Sequence, residues 1–220
     1  QTFKAFLKLN REKTSLRSYV MLTSFLSWEV LRTVMRDLIR LVKNSNAVQQ
    51  NVKKTSGCFW PLVREDLSRS LFGAEFVSSV FYLALFEAVA RRYQNTSRVV
   101  YLAENQPWEV ALIQSFQARK RTLIGFAHST IRYWDLRYFL DPRSYRESGV
   151  HLPKFPDWFA VNGMHDRKLM IESGYPAEHV VEVESLRYLY LNDYLKEKLG
   201  GLVARKKILL VLGDFLKVDT

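Results

Sequence analysis

The 220-residue chain has a single cysteine, Cys58, so an internal disulfide is excluded. A lone thiol suits a reducing compartment and argues against a secreted, disulfide-stapled domain. Long apolar runs are missing as well. The longest covers residues 76–86, contains two serines, and is far shorter than the roughly 20 residues that cross a bilayer. We therefore expect no membrane span.

Acidic residues are scarce relative to basic ones, with 22 Asp and Glu against 33 Lys and Arg, which gives a net charge of +11. Most of the excess is N-terminal, because residues 1–60 carry 11 basic and only 3 acidic side chains. With 48% hydrophobic residues the chain has too much apolar material for a disordered protein. The charge predicts an anionic partner, such as a nucleic acid, a membrane surface or a phosphorylated substrate.

The N-terminal excess includes a regular row of basic residues. Residues 18–43 contain neither glycine nor proline and are predicted to form one helix, followed by a polar linker or loop over 44–57. Four basic residues recur there at spacings of four, four and three, which places them on one helix face: Arg32, Arg36, Arg40 and Lys43. This row is either a solvated face or a patch that touches an anionic membrane. Nucleic acid is not expected as a partner, because no zinc-finger, RRM or P-loop pattern occurs.

Further along, apolar strand-like runs alternate with helical segments. Residues 64–93 are predicted mainly helical, with a break near Gly73. Strands are predicted at 98–103, 122–127, 158–161, 180–183 and 207–212, and helices at 107–120, 164–173 and partly 186–199, with a long loop over 129–156. Such alternation predicts an α/β fold with a Rossmann-like parallel sheet and helices on both faces.

A polar residue directly follows each predicted strand: Glu104, His128, Asn162, Glu184 and Asp214. The carboxyl ends of parallel strands lie on one edge of the sheet, where open α/β sheets bind their ligands. Glu104 and His128 are 24 residues apart, about one strand–helix–strand unit. If the two strands are neighbours, a carboxylate and an imidazole face the same crevice. The alternative is that polar residues simply begin the loops.

An ordered series of motifs adds a family resemblance. It consists of YLAENQPWE at 101–109, LIGFAHST at 123–130, RYWDLRY at 132–138, PD at 156–157, VNG at 161–163, GYP at 174–176 and VESLRY at 183–188. The series resembles the bacterial surface carbohydrate biosynthesis protein family, which is GT-B glycosyltransferase-like and similar to capsule and Kdo transferases. The resemblance runs from about residue 60 to the C-terminus.

The resemblance implies three segments: an N-terminal helical segment (1–60), a Rossmann-like acceptor-side domain (61–200), and a linker with the first strand of a truncated nucleotide-sugar domain (201–220). The implied enzyme transfers a sugar from a nucleotide donor to a bacterial surface polysaccharide or lipid-linked glycan. It would act in the cytoplasm, peripherally at the inner membrane. This chain alone would lack most of the donor site and be inactive.

Two residues are the catalytic candidates. Glu104 is the first choice for the base that takes a proton from the acceptor hydroxyl. His128 either contacts the acceptor or the donor phosphate, or serves as the base itself. The alternative for Glu104 is a carboxylate at a helix N-terminus, stabilised by backbone N–H groups.

The substrate-binding candidates surround these two residues and are polar or aromatic: Asn105, Gln106, Ser129, Arg132, Trp134, Asp135, Arg137, Tyr138, Glu184 and Arg187. Arginine binds carboxylate or phosphate through two parallel hydrogen bonds, and a sugar ring can rest on Trp134. The structural alternatives are that Trp134 packs the loop, that Asp135 pairs with an arginine, and that Glu184 pairs with Arg187.

No cofactor and no protein-bound metal are expected, because the histidines have no ligand-like spacing with Cys58 or each other. An Asp-x-Asp motif for a metal-bound nucleotide is also missing. The expected partners are a nucleotide sugar and a glycan acceptor. Two rivals stay open: a nucleotide-sugar epimerase or polyol-phosphate transferase of the same architecture, and a non-enzymatic, membrane-associated anion-binding module.

Overall fold

The structure is a computed structural model, and it describes residues 19–133, 135, 137–139 and 155–184. The chain divides into two compact units, 1–183 and 184–220. The helices and strands of the described residues all lie in the first unit. The domain boundary predicted after residue 60 falls inside this unit, and the one predicted after residue 200 lies outside the described residues.

The helical region, residues 19–93, contains three α-helices and two short 3₁₀ turns. The turns are Leu22–Phe25 and Gly57–Phe59, and the helices are α1 (Trp28–Ser56), α2 (Trp60–Phe72) and α3 (Ala74–Arg92). Five of its buried side chains form a small cluster, to which α1 contributes Val30 and Val34, and α3 contributes Val80, Ala84 and Leu85. Helix α1 therefore packs on α3 through one narrow face.

The limits of α1 differ from the prediction at both ends. Ser27 caps the helix by accepting a hydrogen bond from the Val30 N–H at 3.3 Å, so the predicted start at residue 18 is wrong. The predicted loop at 44–57 is also wrong, because α1 continues through Ser56. No glycine or proline interrupts it, and polar side chains bond back onto the helix, as in the Asn44 Nδ2 bond to the Arg40 carbonyl at 2.9 Å.

Gly73 separates α2 from α3, as predicted. Its N–H donates to the Arg69 carbonyl at 2.8 Å. A Cβ at this position would lie 2.4 Å from the same carbonyl oxygen. Because that oxygen belongs to the backbone and cannot move aside cheaply, only glycine fits this helix junction.

The sheet region, residues 98–184, contains four parallel strands in the order β1-β2-β3-β4. The elements are β1 (Arg98–Ala103), α4 (Pro107–Gln117), β2 (Thr122–Ala127), β3 (Trp158–Val161), α5 (Met164–Glu172), a 3₁₀ turn (Ala177–His179) and β4 (Val180–Glu182). The predicted α/β class with a parallel sheet is confirmed, and the architecture is compatible with a Rossmann-like fold. The predicted limits of β1, β2 and β3 are confirmed, and β4 ends one residue early.

Helices cover one face of this sheet. There, Leu123 of β2 and Val161 of β3 are fully buried with Leu112 and Phe116 of α4 and Met170 of α5. On the other face, Val100 is 61% and Leu102 is 55% exposed. The prediction of helices on both faces is thus confirmed for one face in the described part of the chain. The predicted helix at 186–199 and strand at 207–212 lie outside it.

The helix ends in the sheet region follow local signals. Helix α4 ends at Gln117, three residues before the predicted Lys120. Helix α5 ends at Glu172, and Gly174 follows with a φ of 98°, the left-handed conformation that glycine adopts most readily. Gly174 is therefore the predicted helix terminator.

Within the described ranges, no single helix has the length and apolarity needed to cross a membrane. One helix pair, Trp28–Phe72 with Ala74–Arg92, passes this test only when taken together, and it is bent by 53°.

Candidate functional site

The ends of β1 and β2 bring Glu104 and His128 together. Ala103 and Ala127 are paired across these two parallel strands, so the residues that follow them leave the sheet side by side. Glu104 Oε1 lies 3.0 Å from His128 Nδ1, and the two side chains are 34% and 38% exposed. The predicted proximity of the two groups, at an edge open to solvent, is confirmed.

This contact favours a proton on one of the two imidazole nitrogens. An ionised carboxylate can only accept hydrogen bonds, so the nearer nitrogen, Nδ1, is the one that can donate a proton towards Glu104. In the neutral ring the lone pair is then on Nε2, at the far side of the imidazole. The pair can therefore present Nε2 as a proton acceptor, with a carboxylate against the opposite side of the ring.

The turn after β1 is organised by Glu109, a carboxylate that is not among the residues predicted for the site. Its Oε1 accepts hydrogen bonds from the backbone N–H of Glu104 and of Gln106, each at 2.8 Å. Between them, Asn105 has a φ of 59°, a left-handed conformation that costs energy in residues other than glycine and persists where its surroundings hold it. Glu109 thus holds the backbone from which the Glu104 side chain projects.

Glu109 is buried, with 6% of its surface exposed. Burial raises the pKa of this carboxyl above its ordinary value, and the two backbone N–H bonds oppose the rise. The sequence carried a signal for this role in Gln106-Pro107-x-Glu109: proline at the first position of α4 and glutamate at the third are typical of a helix start. The alternative predicted for Glu104 was to accept hydrogen bonds from backbone N–H groups at a helix start. In the structure, Glu109 has this role.

After β2, Arg137 and Asp135 form a two-bond ion pair. Arg137 donates from Nε to Asp135 Oδ1 at 2.9 Å and from its terminal nitrogen to Oδ2 at 2.7 Å. The guanidinium lowers the pKa of the Asp135 carboxyl, and Asp135 raises that of Arg137. Arg137 also lies over the Tyr138 ring, 5.4 Å from its centroid. Asp135 therefore pairs with an arginine, which was the structural alternative predicted for it.

Tyr138 anchors this segment to β1. It is 5% exposed, and its hydroxyl donates to the Ala103 carbonyl at 2.9 Å. Asn162, after β3, similarly donates from Nδ2 to the Ala127 carbonyl at 3.3 Å. Two side chains from later segments thus bind the last carbonyls of β1 and β2, next to Glu104 and His128.

A small cavity of about 90 Å³ lies beside the pair. Asn105, Gln106, Arg137 and Tyr138 line it, and Glu104 and His128 are not among its lining residues. At this volume it holds a few water molecules and no sugar ring.

The remaining predicted residues are more dispersed. Asn105, Gln106 and Arg132 are exposed and Ser129 is half-buried. Arg132 contributes its carbonyl, which accepts the Asp135 N–H at 3.0 Å. Trp134 and Arg187 lie outside the described residues. Glu184 is exposed and begins the second compact unit.

In the part of the chain that the structure describes, no three His, Cys, Asp or Glu side chains converge as a metal site would require. His179, the last residue of the 3₁₀ turn before β4, bonds through Nδ1 to the Asp157 carbonyl at 2.8 Å. Asp157 Oδ2 accepts the Leu123 N–H at 2.7 Å. Both residues are structural links at the opposite edge of the sheet from Glu104 and His128.

A scan against protein-family models, a search of curated proteins and a search of solved structures each gave no match. The resemblance to surface carbohydrate biosynthesis proteins therefore stays a prediction.

Proposed function

We propose that the sheet region is the acceptor-side part of a GT-B-like glycosyltransferase, which transfers a sugar from a nucleotide donor to a bacterial surface polysaccharide or lipid-linked glycan. The observation that carries the proposal is the 3.0 Å contact between Glu104 and His128 at the carboxyl edge of the sheet. Open α/β sheets bind substrates at that edge, and the motif series gives the reaction class.

In this proposal His128 is the base and Glu104 orients it. The acceptor hydroxyl binds against Nε2, and its oxygen forms the new bond to the anomeric carbon while the bond from that carbon to the donor phosphate breaks. The hydroxyl proton passes to Nε2, and Glu104 stabilises the imidazolium that results. The nucleotide leaves with the electron pair of the broken bond, so atoms and charges balance.

The neighbouring residues have distinct parts in this reaction. Asn105 and Gln106 are exposed next to Glu104 and are suited to hydrogen-bond sugar hydroxyls. Arg137 is held in place by Asp135 and is 45% exposed, so its outer surface is available to an acidic sugar or a phosphate. Glu109 is a positioning residue, because it acts on the backbone of Glu104.

The test is nucleotide release from a panel of nucleotide sugars, CMP-activated acids included, in the presence of membrane glycan extracts. The proposal puts most of the donor site C-terminal to residue 220, so the assay uses the full-length gene product. We expect release with one donor. Release from none of them would contradict the glycosyltransferase proposal and favour the anion-binding module.

Variants test the site separately from the reaction class. His128→Ala should lower kcat by about 10²- to 10⁴-fold, the usual contribution of a general base. Glu104→Gln should give a smaller loss. The matched control is His179→Gln, a histidine at the opposite edge of the sheet, and it should retain activity. An active His128→Ala enzyme would overturn the assignment of the base while leaving the reaction class standing.

A further inference from the structure

Helix α1 uses only part of its circumference to pack on the protein. Val30 and Val34 are 2% and 1% exposed and face the cluster formed with α3. At 3.6 residues per turn, roughly 100° per residue, they define one direction from the helix axis. The rest of the first half of α1 is mostly exposed.

Four large apolar side chains form a stripe on that exposed surface. Trp28, Met35, Ile39 and Val42 are 74%, 57%, 50% and 51% exposed. Their spacings of seven, four and three residues place them on one line along the helix, which we call the apolar stripe. It points roughly 130° away from Val30 and Val34, so these side chains cannot reach the cluster with α3.

The predicted basic row lies beside the apolar stripe. Arg32, Arg36, Arg40 and Lys43 are all exposed, and their mean direction is roughly 80° from the stripe, on the side away from Val30. Arg36 pairs with the half-buried Asp37 at 3.0 Å. The other carboxylate of this half of the helix, Glu29, lies 3.6 Å from Arg91 of α3. The surface is thus apolar along one line and cationic along the next.

We propose that this surface of α1 binds an anionic lipid bilayer, with the apolar stripe in the boundary between headgroups and acyl chains and the basic row on lipid phosphates. Charge complementarity favours this occupant, and tryptophan is enriched at the membrane interface. A second copy of the helix is disfavoured, because a two-fold contact would bring two basic rows together. Nucleic acid would use the basic row and leave the apolar stripe in water. The proposal is independent of sugar transfer.

Vesicle flotation of the 220-residue chain tests the proposal. We expect the chain to float with phosphatidylcholine vesicles containing about 30 mol% phosphatidylglycerol and to stay unbound with phosphatidylcholine alone. Added salt should weaken binding, because the basic row is exposed to screening. Equal flotation with both vesicles, or with neither, would overturn the proposal.

Two sets of variants separate the two components of the surface. The triple variant Arg32→Glu, Arg36→Glu, Arg40→Glu should lower the partition coefficient about 100-fold. The variant Trp28→Ser, Met35→Ser, Ile39→Ser leaves the charge unchanged and should lower it about tenfold. The control Arg98→Glu, Lys120→Glu, Lys168→Glu makes the same charge change at exposed positions of the sheet region and should keep binding within a few-fold.

Tryptophan fluorescence gives a second readout that needs no disruptive variant. Vesicle addition should shift the emission of the chain to the blue, and Trp28→Phe should abolish most of that shift. The proposed contact would be contradicted if Trp28→Phe left the blue shift unchanged. It would also be contradicted if the sheet-region control and the basic-row variant lost vesicle binding equally. A third outcome would also contradict it: the chain does not bind vesicles and sediments as a dimer, and the serine variant dissociates that dimer. The apolar stripe would then be a self-association surface.

Discussion

The helical region and the sheet region bury their apolar side chains to different extents. The strands and helices of the sheet region enclose a cluster of fifteen buried residues, which includes Leu123 and Val161 and one residue of the helical region, Ala90 of α3. In the helical region the buried cluster has five, and large side chains such as Trp28 and Leu62 stay in solvent. Polar side chains differ as well: in the sheet region they bind specific backbone groups next to the Glu104–His128 pair, as Glu109 and Tyr138 do. The comparison suggests that the sheet region is built to position a site and the helical region to present a surface.

The largest expected difference between the regions concerns their cores. Leu123→Ala and Leu85→Ala remove the same atoms, and such changes cost about 2–5 kcal/mol of the free energy of unfolding. Leu123 is 0% exposed in the larger cluster, and Leu85 is 7% exposed in the smaller one. Leu123→Ala should therefore cost more, because its surroundings collapse less easily around the cavity. Urea unfolding followed by circular dichroism measures both losses of stability. A larger loss for Leu85→Ala than for Leu123→Ala would contradict the comparison.

The next largest expected effect concerns Glu109, the carboxylate that holds the turn after β1. Glu109→Ala leaves the N–H groups of Glu104 and Gln106 without their acceptor and should cost about 2 kcal/mol. Glu109→Gln should cost less, because both bonds end on one oxygen that the amide retains. Equal losses for the two variants would mean that side-chain packing, and not hydrogen bonding, accounts for the role of Glu109.

The pH dependence of stability provides a related test at the same residue. The pKa of the Glu109 carboxyl is raised by burial from its ordinary value of 4.5, so the folded state holds this proton to higher pH than the unfolded state. The free energy of unfolding should therefore fall as pH rises from 4.5 through the raised value. Glu109→Gln should remove this pH-dependent part of the stability. Denaturation curves measured across that pH range test it: if the free energy of unfolding of the variant falls with pH as steeply as that of the unmodified chain, the assignment to Glu109 is wrong.

The smallest expected effect compares one ion pair from each region. The pKa of Asp135 is lowered by Arg137, so its stabilisation is present at neutral pH and is lost as pH falls through the lowered value. Since Arg137 is 45% exposed, solvent limits the contribution, and Asp135→Asn should cost about 0.5–1 kcal/mol.

The control for Asp135 is Glu65→Gln in α2. Glu65 pairs with Arg69 at 2.6 Å, but the two side chains are 74% and 70% exposed. Removal of this pair should leave the unfolding midpoint in urea nearly unchanged. A loss as large as that of Asp135→Asn would show that burial does not separate the two pairs.

The sequence predicted the strands of the sheet region well, because each is a short apolar run between turn residues. Residues 98–103, 122–127 and 158–161 have the predicted limits. It failed on residues 44–56, where polarity suggested a loop. A helix needs no apolar side to satisfy its backbone hydrogen bonds, and this segment has no glycine or proline before Gly57.

Glu104 and His128 were predicted to meet because parallel strands end at one edge, and this needed only the assumption that their strands are neighbours. Glu109 was not among the predicted site residues, because its importance depends on burial and on two backbone N–H groups that converge on one oxygen. The motif Gln106-Pro107-x-Glu109 marked a helix start, but it did not show that the same oxygen also holds Glu104.

The amino-acid sequence by itself determined the α/β class, the strand limits and the row of basic residues on α1, because hydrophobic periodicity and spacing along one element are local properties. Only the tertiary structure decided the strand order, the partner of His128 and the exposure of Trp28 and Met35 beside that row. These features depend on which distant segments pack together, and packing determines which side chains lose contact with water.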